Sequence, residues 1–289
     1  MAAHPNADLC IFIGFDFWNA FSAIPTLLFC DWTYKIYLED HLKKPVNPLE
    51  QDFMRRQREA IGNARLTVSL FEECAVKISE DNPAARVSWI DSNVVNSIIP
   101  YDQVEAMQQE IIGKKQASDK ILFIGKAKYK EGAQQLIDSF MRLVADHPAL
   151  ELDIIGMHAR ELRGADHPAI RCHGYLRKDV PAERQQYYDL LIGARVVVNP
   201  SDVWAGYSSI IESMYFCTPV ITSRYQEFTS QFGEQIAFGH YVTSDVADIT
   251  ARIAEVFAAE NYPQLCEAAH AAVKDYRWDV YVDKLLAKV

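Results

Sequence analysis

Short apolar runs alternate with helix-patterned segments along almost the whole chain, and this alternation limits the fold more than any other feature. LCIFIG (9–14), TLLFC (26–30), LTVSL (66–70) and RVSWI (86–90) are too short for core helices and rich in strand-forming side chains. Helical patterns lie between them, near 47–62 and 71–79. Strand, helix, strand in repeated order builds a parallel sheet, because parallel neighbours need a crossover connection.

The second half repeats the scheme. KILFIG (120–125), LELDIIG (150–156), AIRCHGYL (169–176), RVVVNP (195–200), PVITS (219–223) and QIAFGHYV (235–242) read as strands. Helices are expected at 131–147, 182–194 and 208–217, and three more close the chain at 245–258, 262–275 and 278–288. The fold class expected is α/β, with two Rossmann-like, doubly wound parallel-sheet domains, the N-terminal one reduced. A helical pattern near 101–112 runs into the polar stretch GKKQASDK (113–120), which reads as a linker. This puts the first domain at 1–114, the second at 115–276, and a C-terminal helix at 277–289 that is a candidate to cross back to the first.

Charge narrows the partners. The net charge of −10 argues against general binding to a nucleic-acid backbone, although a local basic cluster can still hold one phosphate group. The six cysteines, at 10, 30, 74, 172, 217 and 266, form no CxxC pair and no metal-ligand spacing. They read as core residues of a reducing compartment. No signal-peptide pattern and no membrane-length apolar run is present, so a cytoplasmic location is expected, with peripheral membrane contact left open.

In open parallel sheets ligands bind beyond the carboxyl ends of the strands, so the loops that follow strands hold the candidate site residues. IGKAKYKEG (124–132) places Lys126, Lys128 and Lys130 before a helix N-terminus, a combination that suits an anion, or simply a solvated basic turn. PSDVWAGYSSIIESMYFCTPV (200–220) runs from a strand end at Ser201 through Gly206, Tyr207 and Ser208 into a helix carrying Glu212. Its first N–H groups suit an anion, and a carboxylate one turn in can accept from a vicinal diol such as ribose. Asp31, after TLLFC, can orient a hydroxyl, act as a base or cap a helix, and Asp16 has the same ambiguity. His158 and His173 also follow strands, and Trp278 reads as a core anchor.

As an ordered set these elements resemble the C-terminal domain of GT-B retaining glycosyltransferases of family 4, the glycosyl transferases group 1. The likeness spans residues 120–289 and rests on ILFIGKAKYKEG, LDIIG, IRCHGYL, YYDLLIGARVVVNPS, WAGYSSIIESMYFCTPVI and RWDVYVDKLL. The resemblance implies a nucleotide-diphosphate sugar donor, transfer with retention to a saccharide or lipid-linked acceptor, and no metal or cofactor. It places Lys126 on the family's phosphate-binding Arg, and Lys130 beside Glu131, which occupies the family's Lys position. Gly206, Tyr207 and Ser208 fall on the phosphate-binding loop, Glu212 on the ribose-binding second Glu of E-x(7)-E, and Asp31 on an acceptor-side turn. Ser201 and His158 belong to the same donor-side loops.

Two departures bear on activity. Trp204 stands where the first Glu of the motif belongs, and indole supplies one N–H and no carboxylate. The family's Gly-Gly after the next strand is Arg224-Tyr225, with Glu227 nearby as a carboxylate. These leave open a non-catalytic GT-B protein that partners another transferase subunit, while His158, His173 and Asp31, as a candidate acid/base set, leave open a sugar-nucleotide epimerase.

Overall fold

The computed structural model describes residues 7–18, 23–90, 92–201 and 207–289, apart from the side chain of His41. The chain forms two compact units. One runs to Val94 and takes in Tyr276–Val289, and the other is Val95–Asp275.

In the first unit, β1 (Cys10–Ile13), β2 (Thr26–Cys30), β3 (Leu66–Ser69) and β4 (Val87–Trp89) form a parallel sheet in the order β1-β2-β3-β4. A short helix α1 (Tyr34–Ile36) passes into a π-helical turn, followed by α2 (Pro48–Asn63) and α3 (Glu72–Asp81). The start of α2 is set locally. Pro48 leads the helix, Asn47 accepts from the Glu50 N–H, and the Glu50 carboxylate accepts from the Asn47 N–H. The apolar run LCIFIG reads as a buried strand, but β1 is not one. It lies at the sheet edge with alternate residues outward, and Ile13 is 82% exposed.

The first unit's core joins Leu27, Leu66, Val68, Ile90 and Val94 to Tyr281 and Leu285 of the C-terminal helix α12 (Trp278–Leu286). Burial of each such side chain is worth about 1.5–3 kcal/mol. Arg65 and Arg86 add hydrogen bonds to the last two carbonyls of the chain, Val289 and Lys288. Trp278 is not the anchor that its aromatic ring suggested. It is 45% exposed, and the fully buried Tyr281 takes that place one turn later.

The second unit holds β5 (Lys120–Ile124), β6 (Glu151–Ile155), β7 (Ile170–Gly174), β8 (Val196–Asn199), β9 (Val220–Ser223) and β10 (Gly239–Val242). All pair in parallel in the order β10-β9-β8-β5-β6-β7. The helices are α4 (Tyr101–Ala106), α5 (Gln108–Gln116), α6 (Lys130–Asp146), α7 (Pro181–Gly193), α8 (Ser208–Tyr215), α9 (Gln226–Phe232), α10 (Val246–Ala258) and α11 (Tyr262–Ala272). Progress across the sheet reverses between β5 and β8, which makes their carboxyl ends the switch point where ligands bind in such sheets.

The stretch expected to be a linker is folded. Helix α5 continues through Gln116, and Lys115 within it is fully buried. Its Nζ donates to the Leu191 carbonyl at 2.5 Å, the Ala194 carbonyl at 3.1 Å and Thr218 Oγ1 at 2.7 Å. Polar composition suggested a solvated connector; the three oxygens instead draw the ammonium inward and fix α5 to this unit. The division therefore falls at Val94, not at 114. Helix α9 was not anticipated, and it buries Phe228 against Tyr207, Phe232 and Phe238. All six cysteines are free, and Cys74, Cys217 and Cys266 are buried. Among the described residues, no helix is long and apolar enough to cross a membrane.

Candidate nucleotide-sugar site

Two touching turns form the floor of the site. Gly125 follows β5 and Gly156 follows β6, with Gly156 at φ +101°. A Cβ on Gly156 would lie 2.4 Å from the Gly125 carbonyl oxygen, so no other side chain fits there. Gly156→Ala is expected to cost about 1–3 kcal/mol by displacing the Gly125–Lys126 turn, measured as a lower urea midpoint. An unchanged midpoint would show that the turn has room to move.

Above this floor lies a cavity of about 350 Å³ whose walls come from the carboxyl ends of β5, β6, β8 and β9 and from the start of α8. A volume of this order suits a small organic ligand. Of the residues expected from the sequence, Lys126, Ser201, Tyr207, Ser208 and Glu212 line it. Lys126 is exposed, with Nζ 4.7 Å from the centroid of the Tyr175 ring. Tyr207 precedes α8 in a left-handed conformation, φ 31°, and its ring is buried against Phe228 and Phe232. No side chain caps the helix, so the amides of Ser208 and Ser209 begin α8 at the cavity wall. Such amides, with the helix dipole behind them, favour an anion.

Along the ends of β8 and β9 the wall carries buried hydroxyls that have no partner among the described residues: Ser201 Oγ, Thr222 Oγ1 and Tyr225 OH. Buried polar groups are nearly always hydrogen-bonded, so these three are groups that a bound ligand could satisfy. Ser201 is held in place from behind by Gly132 of α6, where a Cβ would come within 2.2 Å of its Oγ. Tyr225 replaces a glycine of the family pattern and contributes one of these hydroxyls.

Glu212 is 4% exposed. Lys178 Nζ donates to both its oxygens, at 2.5 and 2.6 Å, and the Tyr187 hydroxyl donates to Oε2 at 2.9 Å. Burial pushes the carboxyl's pKa above its ordinary value, opposed by Lys178. Burial also raises the Tyr187 pKa, with Glu212 adding to the effect, so this hydroxyl stays a donor.

Lys178 and Tyr187 were not singled out from the sequence. The one available signal for Lys178 was its place in GYLRKD, directly after a strand end, where Lys126 also sits. Tyr187 lies inside a helix and carries no such mark.

Other expected residues stand apart. Lys130 opens α6 and Glu227 lies in the first turn of α9, and neither lines the cavity. His158 follows β6 but serves locally: its N–H donates to Glu161 Oε2 at 2.7 Å, and its ring fills the space beside Gly174. His173 pairs with Asp153 at 2.6 Å. Asp31 is in the first unit, where its carbonyl accepts from Ser69 Oγ at 2.6 Å. A separate cleft of that unit, about 300 Å³, is lined by Asp16, Trp32 and Tyr34 but not by Asp31. Trp204 and Gly206 lie outside the described residues.

Two parallel-sheet α/β units, one with an anion-suited cavity at its switch point, define the GT-B class of glycosyltransferase fold. Residues 118–259 match the family model described as glycosyl transferases group 1. No curated protein matches the chain by sequence.

Among solved structures, WaaG, a glycosyltransferase involved in lipopolysaccharide biosynthesis, is similar with a TM-score of 0.63 and 12% identity, over 92% of this chain and 77% of its own. Sucrose-phosphate synthase from Thermosynechococcus elongatus has a TM-score of 0.62 and 14% identity, over 92% of this chain and 68% of its own. HepE of Anabaena, solved with UDP and glucose, has a TM-score of 0.59 and 14% identity, over 91% and 76%. At such identities the likeness is one of fold.

Proposed function

We propose that the protein is a retaining glycosyltransferase that takes a nucleotide-diphosphate sugar in the second unit's cavity and passes the sugar to a saccharide or lipid-linked acceptor. The observation that carries this reading is one cavity that combines Lys126, the uncapped start of α8, three unpartnered hydroxyls and the Glu212 carboxylate. Cation, helix amides and hydroxyls suit a diphosphate, whose charge grows as it leaves, so electrostatic stabilisation is their part in transfer. Glu212 suits a ribose hydroxyl. On this reading no metal ion is needed, and the cleft around Asp16 and Trp32 is the acceptor side. HepE, of similar fold, was solved with UDP and glucose, which makes UDP the first nucleotide to try.

Thermal shift with UDP, GDP and ADP tests the reading. At a hundredfold excess over Kd, the matching nucleotide is expected to raise Tm by about 5–10 °C. The shift is expected to vanish in Glu212→Ala, and the anomeric configuration of the product, read by NMR, decides retention. No shift with any nucleoside diphosphate would sink the proposal.

A second reading, a non-catalytic partner subunit, is favoured by Trp204 in place of the motif's first Glu. Nucleotide binding without donor hydrolysis or transfer, together with co-purification of a second transferase, would decide for it.

A further inference from the structure

Lys178 lies in the loop between β7 and α7, half-exposed beside a buried carboxylate. An ammonium has three protons to donate. Here they meet Glu212 Oε1 at 2.5 Å, Oε2 at 2.6 Å and the Asn96 carbonyl at 3.3 Å. The Tyr187 ring lies beneath, 4.4 Å from Nζ, while its hydroxyl binds the same carboxylate. This is a built arrangement, since one lysine is matched by three acceptors and a ring face.

The carboxylate's own bonds are just as specific. Two oxygens offer about four acceptor sites. Among the described residues, Lys178 and Tyr187 fill both sites on Oε2, and Lys178 fills one on Oε1, which leaves one site on Oε1. Lys178, Tyr187 and Glu212 all line the cavity. Among the described residues, the titratable groups that face Glu212 are Lys178 from the loop and Tyr187 from α7. Tyr175 and Tyr188 lie around Tyr187, and Arg184 reaches only the Lys178 carbonyl.

We propose that Lys178 is a positioning residue for Glu212: spanning both oxygens, it fixes this side chain as an anion, with Oε1 left to receive a nucleoside hydroxyl. The use of that anion rests on the nucleotide reading; its fixation by Lys178 does not. Without the ammonium, a buried carboxylate has no countercharge and takes up a proton at higher pH than before. A protonated carboxyl is a poorer acceptor for the ligand hydroxyl, so affinity becomes pH-dependent.

The test pairs two readouts on the full chain. In the first, carboxyl carbons of glutamate are labelled with ¹³C and titrated by NMR, with Glu212→Gln identifying the resonance. The Glu212 midpoint is expected about one unit or more higher in Lys178→Met than in the wild type, and near the wild-type value in Lys178→Arg. An unmoved midpoint overturns the proposal.

In the second readout, UDP, GDP and ADP binding is measured by calorimetry at pH 6.5 and 9. Lys178→Met is expected to lose affinity at pH 6.5, by at most about tenfold for each unit that its midpoint rises, and to recover toward pH 9. An equal loss at both pH values marks a structural role or direct ligand contact, and overturns it. In a Glu212→Gln background, Lys178→Met is expected to cost nothing further, whereas additive losses also overturn it. If the wild type binds no nucleotide, the nucleotide reading falls, and the NMR midpoint still decides for or against Lys178 as the residue that fixes Glu212.

Discussion

Lys115→Met is expected to yield a protein whose stability deficit against the wild type widens as pH rises from 7 to 9.5. In the wild type, burial pulls the Lys115 pKa down to about 7, while an unfolded lysine titrates near 10.4. Between these values the unfolded chain holds a proton that the folded chain has released, so folding gains stability with rising pH. The gain is at most about 1.4 kcal/mol per unit, or up to about 3 kcal/mol over this window, and it fades as pH falls through 7. Methionine fills similar volume but has no proton to release, so its curve lacks this rise. It also removes the ammonium from the Ala194 carbonyl and Thr218 Oγ1, and leaves the Leu191 carbonyl only the Thr218 hydroxyl at 3.4 Å, which costs about 1–3 kcal/mol even at neutral pH. Urea denaturation of both proteins at pH 7 and 9.5 measures the gap. A gap that stays constant would mean that the ammonium keeps its charge throughout.

Gly239→Ala is expected to be still more damaging, with a loss of about 3 kcal/mol or more, or no folded second unit at all. Gly239 opens β10 at φ +155°, paired with Val220 of β9. A Cβ there would lie 1.8 Å from the Val220 carbonyl oxygen and 2.8 Å from its carbonyl carbon. The near atoms are all Val220 backbone, so no flexible side chain can give way, and β9 also carries Thr222 to the cavity. Circular dichroism and urea denaturation of the variant check this, and near-wild-type stability would show that β10 can separate from β9 without cost.

The strands were largely legible because buried parallel strands are short apolar runs set off by polar helices. TLLFC became β2, KILFIG became β5 and PVITS became β9 with little change at their ends. The errors fell where side-chain type and environment disagree. GKKQASDK reads as solvent-exposed, yet Lys115 is buried by three oxygens from elements about 75–100 positions away in sequence. Trp278 reads as core, yet Tyr281 is the buried ring.

The site divides in the same way. Lys126, Ser201, Tyr207, Ser208 and Glu212 were found because each lies just after a strand end or in the first turns of the helix that follows it, where chain order alone brings them to one edge of the sheet. Lys178 and Tyr187 were not found, since their importance is their distance to Glu212, and no local pattern encodes a contact across that separation. By itself the sequence determined two parallel α/β units and the edge where a ligand is met, because periodicity and strand order are local properties. Only the tertiary structure decided that Glu212 is a buried, twice-partnered carboxylate and that Lys115 is an interior amine that gives up its proton near neutral pH, because ionisation depends on which charges and oxygens surround a group in space.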